Sequence, residues 1–464
     1  MLLNSWVVKE LALNTHTLKY SHRAYRTSFS KGFLLVIALP LWVNMTVFSG
    51  SGLEPVQVIP CSGCRGDYIM DVDNFGNIHI ATLGGVVCKI ASNGREIWQT
   101  QIGMQERNVV ISDLSVDVDG DVYVAGWIEN PQNWRSSNAL VISLDSSGNV
   151  KWRDEIDIDA RDQAAAVETG SDGTVFIVGH TLRRPTGAIG TRSWDVFIRK
   201  YNAEGELLWA DMLGMDSDEK VTGLTVDSEG NIYMIGYTTG TLAVNEKAMT
   251  LSGGQTLSVT NTTLDCFLVK YYPSGHMAWI KQFGEIDALG LVVTDASLPD
   301  ADIPVSVVAT LDGSVYVLTN TGYEMPNYRL LISTSEQSLC FELEGYALQT
   351  SYPSLWKFTA TGETLWRRRL ATSGAGLSLG LDAVGNVCAL LNLYESESAG
   401  SGFEWVVRDL GFRILKYDAS GAQLNSYLLD LESGLSHHAV FRECGSVYLS
   451  GMHKVILFWV PDSR

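Results

Sequence analysis

The chain is poor in positive charge, with 33 Lys and Arg residues against 52 Asp and Glu residues and a net charge of −19. Residues 1–52 contain five basic residues and one acidic residue, which leaves a net charge of −23 on the remainder. Binding to nucleic-acid backbones depends on Lys and Arg that neutralise phosphates. The composition therefore argues against a nucleic-acid partner, and the acidic surface is typical of a soluble protein.

No apolar run is long enough to span a bilayer. Residues 32–43 form the longest run, and polar Asn44 and Thr46 interrupt its continuation. The segment has about 16 apolar-leaning residues, which is shorter than the roughly 20 that a spanning helix needs. Basic residues precede this run, and the small residues 49–52 follow it. The pattern predicts that residues 1–52 are a signal peptide or an N-terminal anchor. We therefore expect a secreted, periplasmic or cell-surface protein that contacts a membrane only through this segment, if it is retained.

Cysteines are few and odd in number, since the chain has seven, so at least one is unpaired or pairs between chains. Cys88, Cys266 and Cys388 fall on predicted strands, where a free Cys usually serves as a small apolar residue. Cys61 and Cys64 are the only close pair. We interpret them as a local disulfide of an exported protein. A redox pair or half of a zinc site is the alternative, but no second CxxC or neighbouring His completes a ligand set.

Catalytic motifs are absent from the sequence: it has no Gx[ST]xG elbow, HExxH helix, P-loop or nucleotide fingerprint. Asp117, Asp119 and Asp121 resemble a calcium loop, but the glycine is misplaced and Ile128 stands where a bidentate Glu is needed. Asp, Asn and Gly are also the residues that tight turns require. We therefore predict turns here and assign no catalytic residue, metal site or cofactor.

The chain instead contains a repeat, and its best copy is 225–284. Alternating apolar residues place strands at 225–227, 232–236, 266–271 and 277–283, separated by turns that contain Gly, Asn or Pro. Related segments begin at Asp71, Asp117, Gly170, Thr310, Leu381 and His437. A repeat of this length indicates a solenoid or a propeller.

The repeat unit favours the propeller, because four short antiparallel strands form a blade that packs radially around an axis. The seventh repeat has only three strands, and residues 53–60 can supply its missing outer strand, where Pro55 and Pro60 are tolerated at an edge. We predict an all-β, seven-bladed β-propeller of four-stranded antiparallel blades over residues 53–464, with the last blade closed by an N-terminal strand. The blades are expected at about 67–103, 109–157, 164–214, 221–284, 305–371, 376–430 and 436–460 plus 53–60.

Other recurrent residues have structural explanations. The outer strands repeat a tryptophan at one position, which predicts packing between blades: Trp98, Trp152, Trp209, Trp279 and Trp366. The basic run 367–369 lies on an outer strand and is expected to be solvated. His437 and His438 lie on an inner strand that lines the central channel, and only one of two neighbours can point inward.

The best repeat resembles a known family. Its motif is D-x-x-G-N-[IV]-Y-[VM]-x-G-Y-T followed by D-x-F-[LI]-x-K-Y-x-x-x-G-x-x-x-W, carried by Asp227, Gly230, Asn231, Tyr233, Gly236, Tyr237, Thr238, Asp265, Phe267, Lys270, Tyr271, Gly275 and Trp279. This is similar to the SBBP repeat of seven-bladed β-propellers, and repeats two, three and six match it partially. The resemblance covers roughly 67–460 and implies an exported propeller without indicating a particular chemistry.

The repeats differ mainly in insertions between the second and third strands, at 129–138, 181–194, 238–264, 319–353 and 392–411, with another at 285–305 between blades. In a meander these connections emerge on one face, and variable loops on a rigid scaffold tend to carry binding function. We predict that a protein or glycan partner binds there through aromatic and Arg side chains, namely Trp134, Arg135, Arg183, Arg184, Trp194, Tyr323, Tyr328 and Trp405. The alternative is that these side chains pack the loops onto the disc.

A different class of function is a propeller enzyme, either a lyase or a hydrolase, with its site at the central channel. A cluster of His, Asp or Tyr side chains at the channel mouth would favour the enzyme, whereas an aromatic loop-rich face would favour binding. We favour a binding scaffold over an enzyme.

Overall fold

The fold class is that of an all-β propeller with seven blades of four antiparallel strands, as predicted. The computed structural model describes residues 52–53, 55, 57–60, 68–82, 84–103, 109–130, 133–182, 193–214, 217–240, 264–284, 300–333, 338–348, 352–398, 404–429, 435–442, 446–451 and 454–459. Within these ranges all regular elements are strands, and no helix is long and apolar enough to cross a membrane. Residues 1–51, which include most of the predicted signal segment, lie outside the described residues.

Each blade is a meander that runs from an inner strand at the axis to an outer strand at the rim. Blades one and two consist of Tyr68–Val72, Ile78–Thr82, Val86–Ile90 and Glu96–Gln101, then Val109–Val116, Val122–Asn130, Asn133–Leu144 and Val150–Ile156. Blades three and four consist of Arg161–Thr169, Val175–Leu182, Trp194–Tyr201 and Leu207–Leu213, then Glu219–Val226, Ile232–Thr238, Asp265–Tyr271 and Met277–Phe283.

Blades five and six share a larger sheet because the long second strand of blade five pairs with the long third strand of blade six. Blade five consists of Asp300–Ala309, Val315–Ser333, Tyr352–Phe358 and Thr364–Arg369, with an additional strand, Ser338–Leu348, in its insertion. Blade six consists of Ala375–Leu381, Val387–Ser398, Glu404–Tyr417 and Gln423–Leu429.

Blade seven combines strands from distant parts of the chain. Its first three strands are Leu435–Arg442, Ser446–Gly451 and Lys454–Trp459, and its outer position is taken by Gln57–Pro60, which pairs antiparallel with Lys454–Trp459. The preceding residues, Gly52–Leu53, pair in parallel with the outer strand of blade six. The N-terminal segment therefore contacts two neighbouring blades.

The hairpin turns depend on the repeated aspartates. In blade four Asp227 Oδ1 accepts hydrogen bonds from the backbone N–H groups of Glu229 and Asn231 at 3.0 and 2.8 Å. Gly230 in this turn has a φ of +78°, a left-handed conformation that glycine adopts without strain. Asp73, Asp117 and Asp382 accept the same pair of backbone hydrogen bonds in their own blades. The predicted structural role of these aspartates is confirmed.

The hydrophobic core lies between the blades, because successive residues of a strand face opposite sides of its sheet. In the second strand of blade four, Ile232 and Met234 pack against blade three, whereas Tyr233 and Ile235 pack against blade five. Each blade therefore contributes both faces to the core, and these buried strands are apolar without strict alternation. Cys88, Cys266 and Cys388 are buried on such strands, as predicted, and none of them forms a disulfide with another described residue.

The repeated tryptophans join one blade to the next. Each indole Nε1 donates a hydrogen bond to a carbonyl in the last turn of the following blade, namely Trp98 to Ser146, Trp152 to Ala203, Trp209 to Pro273, Trp279 to Ala360 and Trp366 to Ala419, over 2.9–3.2 Å. Each ring also covers a glycine of that turn so closely that an added Cβ would lie 2.5–2.9 Å from it. The predicted packing between blades is confirmed, and the hydrogen bond adds a directional contact.

Gln57 occupies the corresponding position at the junction of blades seven and one. It pairs with Leu457 as Trp279 pairs with Lys270, and its Nε2 donates to the carbonyl of Ser92 at 2.7 Å. Ser92 stands in the last turn of blade one, at the position that Ala360 occupies in blade five. A glutamine amide thus makes the hydrogen bond that indoles make at five other junctions.

The basic run 367–369 is largely solvated, as expected, because Arg368 and Arg369 are exposed and Arg367 is half-buried, but its guanidinium groups also stack on aromatic rings. The Arg367, Arg368 and Arg369 guanidinium carbons lie 5.3, 5.5 and 3.5 Å from the ring centroids of Trp356, Trp366 and Tyr352. Arg groups stack on aromatic faces, which the run of three charges alone did not reveal.

Candidate functional site

The predicted partner-binding residues are described to different degrees. Trp194 is described with its side chain. For five others only the backbone lies within the described strands: Trp134, Arg135, Tyr323, Tyr328 and Trp405. Arg183 and Arg184 lie outside the described residues, as do Cys61 and Cys64 of the predicted disulfide.

Trp194 begins the third strand of blade three and contacts residues from two blades. Its ring centroid lies 5.0 Å from that of His180 in an edge arrangement, and the Lys220 ammonium of blade four lies 4.7 Å from it. Its backbone N–H donates to Asp218 Oδ1 at 2.9 Å. We call Trp194, His180, Lys220, Asp218 and Arg161 the Trp194 cluster. It lies on the face where the insertions emerge, at the junction of blades three and four.

The Trp194 cluster is rich in positive charge that is partly removed from water. Burial lowers the pKa of the Lys220 ammonium, Asp218 opposes this effect, and the Arg161 cation adds to it. The buried Nε of Arg161 has no hydrogen-bond partner among the residues that the structure describes. A cation above an aromatic face and a buried guanidinium Nε without a partner suit the recognition of carboxylate or carbonyl oxygens.

Buried acids support the inner edge of this face. Asp162, Glu219 and Asp302 occupy equivalent positions in the inner strands of blades three, four and five. Thr238 Oγ1 donates to Glu219 at 2.9 Å, and Thr321 Oγ1 donates to Asp302. Burial raises the pKa of Asp162. Since Asp162 accepts hydrogen bonds from neighbouring backbone and Glu219 from the second strand, these two acids fix the strand ends next to the Trp194 cluster.

Three of the insertions that were predicted to be loops are extended strands, and this corrects the sequence interpretation. The insertion of blade two continues the hairpin of Val122–Asn130 and Asn133–Leu144. In blade five, Glu324–Ser333 pairs antiparallel with Ser338–Leu348. In blade six, Val387–Ser398 is paired with Glu404–Tyr417 along the described part of the insertion. The backbone N–H and C=O groups of the strands that extend beyond the disc are thereby hydrogen-bonded to one another.

The insertions of blades five and six also pair with each other. Arg329–Ile332 runs parallel to Glu404–Val407, and Leu330 is opposite Trp405. Residues 324–333, 338–348, 394–398 and 404–409 thus form a four-stranded mixed sheet, which we call the hairpin sheet. It places the predicted residues Tyr328 and Trp405 on adjacent strands. Among the described residues, the strand Ser338–Leu348 pairs on one side only.

The histidines that the sequence suggested for a catalytic or metal site do not form one among the described residues. His437 and His438 lie on the inner strand of blade seven, but their side chains are outside the described residues. His79 is buried in blade one, where its Nε2 and the Lys89 ammonium lie 3.3 and 3.0 Å from Asp73 Oδ2. These groups stabilise a turn. Within the described ranges, no three His, Cys, Asp or Glu side chains are arranged to hold a metal ion.

The fold defines the chain as a seven-bladed β-propeller. More specifically, the sequence profile of the SBBP β-propeller repeat matches residues 216–242, in blade four, so the resemblance to SBBP-type propellers is confirmed. A comparison with proteins of curated function found no match.

Several solved structures are similar in fold at low sequence identity. Virginiamycin B lyase from Staphylococcus aureus is 12% identical, with 87% of this chain and 99% of that chain covered and a TM-score of 0.45. BamB from Moraxella catarrhalis is 12% identical over 88% and 98%, with a TM-score of 0.39. The Dos1 propeller is 9% identical over 88% and 95%, with a TM-score of 0.46. Likeness at this level says nothing about activity.

Sequence reasoning missed four members of the Trp194 cluster. Lys220, His180 and Arg161 come from two blades, and only the folded ring brings them to Trp194. One signal was present: the second strand of blade four has Tyr237 where blade three has His180, and a change at a repeated position marks a candidate site.

Proposed function

We propose that the protein is a scaffold that binds a partner, protein or glycan, through the face that carries the hairpin sheet and the Trp194 cluster. The observation that carries this proposal is the hairpin sheet. Blade packing does not require residues 324–333, 338–348, 394–398 or 404–409, yet they extend the strands of blades five and six into a shared sheet. Structure that the scaffold does not need is where binding function tends to reside.

The geometry favours a protein over a glycan as the partner. Among the described residues, the strand Ser338–Leu348 is paired on one side only, so its other side has a row of backbone N–H and C=O groups that a further strand could bind. Extended peptides bind such edges by adding a strand. The Trp194 cluster supplies a second anchor, because tryptophan and arginine are frequent at interface hot spots.

Export is part of the proposal. The basic lead-in followed by the apolar run 32–43 supports a secretory signal, and an exported scaffold can meet partners at the cell surface. Cleavage at the end of this segment would release residues 53–464.

Capture with matched variants tests the proposal. The purified chain is immobilised and incubated with an envelope extract of the producing cells, and bound proteins are quantified by mass spectrometry. In one variant an Asn-Gly turn replaces residues 324–348, in another Trp194→Ala and Lys220→Ala are combined, and the control Leu311→Ser changes an exposed turn on the opposite face. We expect one partner to be lost from the first variant, reduced at least tenfold in the second and unchanged in the control.

The partner is then purified and its affinity for the four chains is measured by calorimetry. Equal affinity for all of them, or loss only with Leu311→Ser, contradicts the proposed face. Binding that a glycosidase treatment of the partner abolishes would identify a glycan ligand.

A further inference from the structure

A pocket of about 320 Å³ lies between blades five and six, away from the Trp194 cluster. Its volume is at the lower end of the range for small-molecule sites. We call it the seam pocket. It is lined by the link 370–373 and by Leu391, Leu393, Arg413, Leu415, Gln423 and Ser426. Apolar leucines and a single charged side chain therefore share one concave surface.

Arg413 stands where other blades have a buried phenylalanine. It pairs with Leu391 in blade six, as Phe267 pairs with Gly236 in blade four and Phe197 with Gly179 in blade three. In those blades the ring fills the seam so closely that a Cβ on the glycine would lie 2.3–2.4 Å from it. Blade six lacks this Gly–Phe pair, and the seam pocket lies at the same position.

The pocket contains polar atoms without partners. Arg413 Nε and Ser373 Oγ are buried, and neither has a hydrogen-bond partner among the residues that the structure describes. A buried donor without a partner costs free energy, and such groups in native proteins call for an explanation. A ligand that accepts hydrogen bonds from both groups would satisfy them.

Two further arginines precede the link 370–373 and hold it in place without lining the pocket. Arg369 fixes the link, because its Nε donates to the Ala371 carbonyl at 3.3 Å and its Nη2 to the Thr372 carbonyl at 3.4 Å. Arg368 Nε donates to the Gly421 carbonyl of blade six at 3.1 Å. Within the described part of the chain, no acidic side chain lines the pocket and none forms an ion pair with Arg368, Arg369 or Arg413.

We propose that the seam pocket binds a small aliphatic carboxylate. The carboxylate accepts hydrogen bonds from Arg413 and Ser373, and the aliphatic part lies against Leu370, Leu391 and Leu393. The site is separate from the partner-binding face, so the fate of either proposal does not decide the other.

Calorimetric titration of the full chain with octanoate tests this site, and octylammonium serves as a probe of the same length and opposite charge. We expect octanoate to bind and octylammonium not to bind. Arg413→Gln should weaken octanoate binding about tenfold or more, because it removes a charge-assisted hydrogen bond. The control Arg153→Gln removes the same charge from the outer strand of blade two, where Arg153 pairs with Glu155, and should bind as the original chain does.

A double variant separates loss of the site from loss of the fold. Leu391→Gly with Arg413→Phe restores the pair of blades three and four, so it should fill the pocket, abolish octanoate binding and retain or raise the thermal midpoint. Equal binding of both probes, unchanged binding in Arg413→Gln, or octanoate binding to the double variant would each overturn the proposal. If Arg413→Gln unfolds, the double variant alone decides.

Discussion

The contact of Trp152 with Gly205 gives the sharpest test of how neighbouring blades are joined. Gly205 has a φ of +85°, and an added Cβ would meet two atoms of the Trp152 ring at 2.5 and 2.6 Å. Gly205→Ala therefore introduces both backbone strain and a steric clash. Gly385 offers the matched control, because its φ is +86° and an added Cβ would meet nothing within 4 Å.

The expected magnitudes follow from these two environments. Gly385→Ala should cost about 1–2 kcal/mol, the strain of a left-handed residue with a Cβ. Gly205→Ala should cost about 1–3 kcal/mol more, since overpacking is added. Trp152→Ala should cost about 3 kcal/mol, the lower end of the range for aromatic truncation, because the ring is half-buried and also loses its hydrogen bond to Ala203. In the Trp152→Ala background, Gly205→Ala should fall to the cost of Gly385→Ala.

Urea denaturation followed by circular dichroism measures these free energies, and the slope against urea shows whether the transition stays comparable between variants. The double-mutant cycle should give a coupling of about 1–3 kcal/mol. If the costs of Trp152→Ala and Gly205→Ala simply add, or if Gly205→Ala costs no more than Gly385→Ala, the ring does not pack on the turn as described.

Two further predictions concern other blades. In blade six, burial raises the pKa of Asp382, but hydrogen bonds from Lys416 and Asn386 lower it by more, so the folded pKa lies below its usual value and stability is lost as the pH falls through about 4 and below. Asp382→Asn should therefore lose less stability between pH 5 and 3 than the original chain, as measured by urea midpoints. An equal loss would contradict this linkage. At the junction of blades seven and one, a chain that starts at residue 61 lacks the strand Gln57–Pro60 and should have a lower thermal midpoint than a chain that starts at residue 51. Equal midpoints would show that this strand does not close the ring.

The repeat made the architecture predictable, because each blade uses the same local chemistry. Asp, Gly and Asn at the turns and Trp on the outer strand recur at fixed spacing, and their contacts are the same in successive blades. Gln57 could not be predicted in this way. It differs chemically from tryptophan, and only its register opposite Leu457 shows that it holds the same position.

The candidate sites were harder to predict, since they arise where the repeat fails. The strands at 324–333 and 404–407 pair across two blades, and a contact between segments so far apart in sequence has no local signal. Arg413 was visible in principle, because aligning blade six with blade four sets it against Phe267. Its meaning depended on the neighbouring Leu391, which replaces the glycine that a ring would need.

The pairing of Gln57–Pro60 with Lys454–Trp459 has a consequence for how the protein is made. Segments about 400 residues apart must meet, and bringing distant segments together slows folding. During synthesis the first strand emerges long before its partner, so the seventh blade forms last. Until then a nascent chain leaves two apolar blade faces uncovered, on blade six and on blade one, which other chains can contact. Folding yield should therefore depend on how quickly synthesis finishes and on chaperones that cover these faces meanwhile.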